Sequence, residues 1–320
     1  MDNIKKFLSA DLQAFEDCFN AAVMTRVPLL DQIMKYIVKS KGKQMRPTFV
    51  LLAAKMSGTP DESTYRAASL IELLHTATLV HDDVVDNAET RRGLFSITAL
   101  WKNKIAVLVG DYLLSKGLLL SLENEDFEQL GILSKAVKDM SEGELLQIEK
   151  ARKLDITEDV YFDIITRKTA SLISSACAAG AYSASKSKEV AKQFSEIGRN
   201  IGIAFQIRDD LFDYGMEKTG KPSGNDIKEK KMTLPLIHTL QNCDKATRKK
   251  IKYIFRNENK NRRKINYIID TVKANQGIQY AEQKMHEYTS EALHLLSKVK
   301  DSEAKTHFIN LVNYTIERVK

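Results

Sequence analysis

Two acidic clusters in this chain repeat one spacing: His81-Asp82-Asp83-Val84-Val85-Asp86 and Arg208-Asp209-Asp210-Leu211-Phe212-Asp213. Each sets carboxylates at i, i+1 and i+4 at the end of an apolar run of helical character. On a helix, i and i+4 share a face about 5–6 Å apart at Cβ, and like charges there repel by roughly 0.2–0.5 kcal/mol even when exposed. The chain has 21 Asp in 320 residues, so chance supplies Asp-Asp-x-x-Asp only about 0.09 times. One copy reads as a solvated helix face; two copies point to a cation that both clusters share.

The donor set narrows the cation. Carboxylates without His or Cys at ligand spacing select a hard, oxygen-seeking ion. No Asp-x-Asp-x-Asp-Gly loop is present, which disfavours calcium. Mg²⁺ takes one or two carboxylates together with substrate phosphates and keeps several waters. Two Asp triads therefore suit a diphosphate clamped through several Mg²⁺ ions.

Basic residues fall where such a diphosphate would dock. Lys43 and Arg46 lie in a connection ending in Pro47, Arg91 and Arg92 follow the first cluster, and Lys218, Lys221, Lys228, Lys230 and Lys231 follow the second. Lys168-Thr169 sits at mid-chain within a helical stretch. Arg suits bidentate phosphate contacts, and Lys supplies a point charge.

The elements that must position these residues are helices. Only 14 Gly and 5 Pro punctuate the chain, and strand-like alternation is scarce, so the fold class is all-α. Helices are expected at 2–24, 29–39, 48–56, 61–86, 96–121, 126–150, 157–182 and 187–214. Further ones follow at 233–241, 245–255, 262–274, 277–297 and 302–318, with 215–232 a loop. Asp61 caps the helix that carries His75 and the first cluster. Gly198 and Gly202, four apart, suggest close helix packing. No linker separates independent domains, so 1–320 reads as one domain.

Composition excludes several classes. The net charge of +7 informs solubility more than partners. The densest basic run, Arg248 to Lys264, lies far from both clusters and reads as solvated helix faces, so no nucleic-acid partner is expected. Cys18, Cys177 and Cys243 are odd in number and widely spaced, as in a reduced, cytoplasmic protein without disulfides. The first residues lack a signal-peptide layout. No stretch reaches 18 uncharged apolar residues, so no transmembrane segment is expected.

Over nearly its whole length the chain resembles the trans-prenyl diphosphate synthases. The resemblance is carried by Gly42-Lys43-Gln44-Met45-Arg46-Pro47, His75 to Gly93, Lys168-Thr169, Gln206 to Asp213, and Gly220-Lys221 through Asp226-Ile227 to Lys231-Met232-Thr233-Leu234-Pro235, in the family's order. It implies a homodimer of the isoprenoid synthase type, helices around a deep central cavity with the two Asp clusters facing across its mouth. It implies that Lys43, Arg46, His75 and Arg92 hold isopentenyl diphosphate. Asp82, Asp86 and Asp209 would ligate Mg²⁺, three ions with substrate bound, supported by Asp83, Asp210 and Asp213. Arg91, Lys168, Lys221 and Lys231 would contact the allylic diphosphate (farnesyl or geranyl), with Thr169 and Gln206 at the reacting end. The catalytic set is then Asp82, Asp86, Lys168 and Asp209, with neither a nucleophile nor a strong general base.

Product length turns on the residues before Asp82. The family's short-chain members resemble each other in placing aromatics four and five positions earlier; here those are Thr78 and Ala77, with Leu74 one turn down. Each turn adds about 5.4 Å of depth. Leu118, Leu119, Leu122 and Leu133 are candidates for the floor. The expected product is a long all-trans chain of the kind that serves quinones, released with a transient membrane contact. Alternatives are a geranylgeranyl or farnesyl diphosphate synthase and, less well matched, a terpene cyclase, a helical regulatory subunit or a nucleic-acid-binding protein.

Overall fold

Asp61 starts the central helix. Its side chain accepts from the Thr64 backbone N–H at 3.1 Å, and its own N–H donates to the Thr64 hydroxyl at 3.2 Å. This reciprocal cap satisfies two otherwise orphaned donors, and the helix runs Glu62–Val85. The computed structural model describes residues 1–39, 42–91, 93–153, 156–215 and 224–317. Among them the only sheet is a short antiparallel pair, Thr90–Arg91 with Leu94–Phe95, in which Thr90 faces Phe95. The all-α expectation holds.

The chain divides into two compact units. The first comprises Met1–Val137, Ser175–Ser195 and Val299–Phe308. At its centre the Glu62–Val85 helix packs against Ser9–Val23, Met45–Ser57 and Ile97–Glu123. Ala67, Ala68, Ser69, Leu70, Ile71, Leu73 and Leu74 are all buried, as their nearly continuous apolar run predicts. Each buried Leu or Ile contributes roughly 1.5–3 kcal/mol.

The Ile97–Glu123 helix kinks at Lys102, where φ is +71°. It is long and apolar enough to cross a membrane by length and composition, although Asp111 and Lys116 interrupt its apolar run. Leu118, Leu119 and Leu122 are 43, 48 and 49 % exposed. Those three floor candidates therefore lie on the outer surface of the single chain, whereas Leu133 is fully buried.

The second unit comprises Lys138–Ser174, Glu196–Lys298 and Ile309–Lys320. Ile207, Leu211, Leu234, Leu236, Ile265 and Ile268 form part of its core. The helix expected at 157–182 is interrupted: Glu158–Ile165 passes into a π turn, Thr166–Ala170, before Ser171–Ser185. The turn rests on Gly202, where an added Cβ would lie 2.5 Å from Ala170 Cα. Any side chain at Gly202 would push the turn away. The loop expected at 215–232 contains a short helix, Asn225–Lys228.

Candidate active site

In the first unit the acidic cluster closes the Glu62–Val85 helix. The Asp86 N–H donates to the Asp82 carbonyl at 2.8 Å, so the two residues stand one turn apart on one face. Asp86 is exposed and Asp82 half-buried. They stand at a helix C-terminus, where the dipole disfavours further negative charge. Asp83 points elsewhere and is 2 % exposed. Arg91 Nε and Nη2 approach its Oδ1 at 2.8 and 2.7 Å. The hairpin of Thr90–Arg91 and Leu94–Phe95 thus returns Arg91 onto the helix it just left.

His81 braces the same end. Its ring lies over Gly110, where a Cβ would come within 2.1 Å of Nε2, and Nε2 is 3.2 Å from the Val107 carbonyl. One pocket in this unit is lined by His75, Asp83, Arg91, Gly42 and Gln44, with Phe15 and Phe19 on its apolar side. Lys43 is exposed and Arg46 half-buried, on either side of Gln44 and Met45. Arg92 lies outside the described residues. Thr78 donates to the His75 carbonyl at 2.8 Å, Ala77 is fully buried, and Leu74 is seated against Gly117.

In the second unit a chain of hydrogen bonds converges on Asp210. Thr169 donates to Gln206 Oε1 at 2.7 Å, and Gln206 Nε2 donates to Asp210 Oδ1 at 2.8 Å. Tyr161 donates to Asp210 Oδ2 at 2.8 Å, and Lys231 Nζ to Oδ1 at 2.9 Å. The π turn sets this up, because the wider turn re-aims Lys168 and Thr169 relative to an α-helix. Lys168 pairs with Glu144.

Asp213 has a different task. It accepts the backbone N–H groups of Gly224, Asn225 and Asp226 at 3.0, 2.7 and 3.0 Å, which fastens the short Asn225–Lys228 helix. Burial raises its pKa, and those three bonds pull it back down. Asp226, 3.6 Å from Lys231, is pushed up to about 7 by burial against the opposing charge of Lys231. Burial alone would lower Lys231, but Asp210 and Asp226 outweigh it and hold the ammonium charged. Lys221 lies outside the described residues.

The polyprenyl synthetase family model matches residues 27–272. The chain belongs to the polyprenyl synthetase family. An all-trans-nonaprenyl-diphosphate synthase (geranyl-diphosphate specific) from Rhodobacter capsulatus is 33 % identical over 316 residues, covering 98 % of this chain and 96 % of the relative. Among solved structures, a decaprenyl diphosphate synthase from Rhodobacter capsulatus has a TM-score of 0.94 at 31 % identity, covering 100 % of this chain and 99 % of the other. A polyprenyl synthase from Caulobacter crescentus, complexed with calcium and isoprenyl diphosphate, has a TM-score of 0.90 at 27 % identity over 99 % and 97 % of the two chains.

As a polyprenyl synthetase the chain has the all-α isoprenoid synthase fold and is a prenyltransferase, a trans-prenyl diphosphate synthase. Its donor set fits a hard divalent cation. Among the described residues no three His, Cys, Asp or Glu side chains already converge as a metal cage.

Three residues that contact Lys168, Asp210 or Lys231 have no role assigned to them in the sequence analysis: Glu144, Tyr161 and Asp226. Asp226 carried a usable signal, a carboxylate five residues before Lys231 within one motif. Tyr161 and Glu144 come from other helices, and no local pattern marks them.

Proposed function

We propose that this prenyltransferase condenses isopentenyl diphosphate head-to-tail with an allylic diphosphate, farnesyl or geranyl, and repeats the step to a long all-trans polyprenyl diphosphate for quinone side chains. The observation that carries this reading is the buried Asp210 carboxylate, fixed by Tyr161, Gln206 and Lys231. Donors and charges already in place stabilise developing charge without reorganising during the reaction. Mg²⁺, when bound, supplies the charge that offsets the departing diphosphate.

In this reading Asp82, Asp86 and Asp209 hold the ions, and Asp83 keeps Arg91 in place. Lys168, Lys221, Lys231 and Arg91 bind the allylic diphosphate. Lys43, Arg46, His75 and Arg92 bind isopentenyl diphosphate. The allylic C–O bond breaks and the diphosphate departs with the electron pair. The isopentenyl double bond attacks the allylic carbon, and a proton is lost from the adduct to the released diphosphate. Thr169 and Gln206 line the reacting end.

Residues 1–320 act as one catalytic domain, and two chains form a homodimer. Support for the dimer comes from Leu118, Leu119 and Leu122, an exposed apolar row on the Ile97–Glu123 helix of the kind that marks an interaction surface. Three free cysteines suit a reducing cytoplasm. The test is incubation with farnesyl diphosphate, labelled isopentenyl diphosphate and Mg²⁺, followed by product sizing. No elongation would reject prenyl transfer; a product stopping at geranylgeranyl would reject only the long-chain part.

A further inference from the structure

The Lys245–Asn257 helix turns Ile251, Ile254 and Phe255 inward, each 2 % exposed or less. Its outer side carries Lys245, Lys249, Lys252 and Arg256, all exposed. Their spacing of i, i+4, i+7 and i+11 makes one straight cationic stripe along the helix. The helix contains no acidic residue, and none of the four side chains forms an ion pair among the described residues. A merely solvated helix gains from alternating signs, whereas this one repels itself along its length. Lys245 sits in the first turn, where the helix dipole disfavours a cation. Arg263 does the same at the start of the neighbouring Arg262–Ala274 helix, and it is exposed.

A solvated face does not account for self-repulsion kept at this density. An anionic partner does. Beside the stripe stands Tyr253, 59 % exposed, an amphipathic ring of the type that sits at a membrane–water boundary. A single aromatic beside a cationic stripe is a weak platform for stacking successive bases, but it suffices as an interfacial anchor.

We propose that the stripe and Tyr253 dock on the surface of an anionic phospholipid bilayer. The choice of a bilayer over a nucleic acid rests on the proposed function, since a long polyprenyl product partitions into lipid. Docking by this face would keep the enzyme at the surface that receives its product. Each basic residue near an anionic membrane strengthens binding roughly fivefold, and the attraction falls within a Debye length.

The experiment sediments the full chain with vesicles of phosphatidylcholine alone or mixed with phosphatidylglycerol, and titrates it separately with a single-stranded oligonucleotide. The expected result is binding to the mixed vesicles only, weakened by salt. Binding should fall at least tenfold in the combined Lys245→Glu, Lys249→Glu, Lys252→Glu and Arg256→Glu variant, and by a smaller factor in Tyr253→Ala. The same four positions changed to Gln give a second variant that avoids charge reversal, with helicity checked by circular dichroism. Equal binding to both vesicle types, undiminished binding by the Gln variant, or tighter binding to the oligonucleotide than to mixed vesicles would overturn the proposal. Prenyl transfer measured without vesicles should be unchanged in these variants. If the unaltered enzyme elongates nothing, the function reading fails, while the vesicle result stands separately.

Discussion

Lys231 Nζ lies 2.9 Å from Asp210 Oδ1, and the Asp210 side chain is fully buried. The ammonium, the Tyr161 hydroxyl and the Gln206 amide surround the carboxylate in that position. Removing the ammonium leaves a buried negative charge held by neutral donors alone. Lys231→Met should therefore lower folding stability by on the order of 3 kcal/mol and abolish prenyl transfer. Urea unfolding with an unshifted midpoint would show that Asp210 does not depend on this partner.

The carboxylates of the two clusters should not respond alike. Asp213 binds three backbone N–H groups, so Asp213→Ala should cost about 1–2 kcal/mol of stability even without metal. Asp82→Ala and Asp209→Ala should abolish turnover while changing the melting temperature little, since they remove charge from crowded acidic sites. Thermal melts in a chelator, paired with activity in Mg²⁺, separate the two kinds. Full activity in either Asp82→Ala or Asp209→Ala would end the two-cluster reading.

The contrast marks what the sequence makes legible. Period, caps and apolar runs placed nearly every helix, because burial of one face is written into local spacing; Asp61 with Thr64 is an example. The π turn at 166–170 was not legible. Its residues, Thr-Arg-Lys-Thr-Ala, suit an unbroken helix, and the turn widens where Ala170 must lie on Gly202. Nor was the distinct task of Asp213, because i, i+1, i+4 spacing says where a carboxylate starts and not which backbone donors come back to it. Tyr161 reaches Asp210 from 49 residues away, and only packing brings it there.

Asp226 gives a pH dependence with a definite sign. An unfolded Asp ionises near about 3.9, whereas burial holds folded Asp226 at about 7. Between those values the folded state binds the extra proton, so stability of the metal-free protein falls as pH rises through that window. Asp226→Asn should remove this part of the slope. Comparing urea midpoints of the two proteins across pH 4 to 8 (the window bracketed by about 3.9 and about 7) checks it; parallel curves would mean that Asp226 titrates normally.

Product length separates Thr78 from its neighbour. Ala77 is 0 % exposed, so Ala77→Phe forces a ring into filled space at about 1–3 kcal/mol. Thr78 is half-buried and its hydroxyl only returns to the His75 carbonyl at 2.8 Å. Thr78→Tyr loses that one bond and projects a ring along the face that continues to Leu74. The single variant should therefore shorten the product while the enzyme stays folded, and adding Ala77→Phe should shorten it further at a cost in stability. Leu74 is seated against Gly117, so Leu74→Ala should act oppositely, lengthening the product and losing about 2–5 kcal/mol. Chromatographic sizing of the three product sets is the measurement. If Thr78→Tyr remains active with an unchanged distribution, the growing chain does not pass this face of the helix, and length must be set elsewhere.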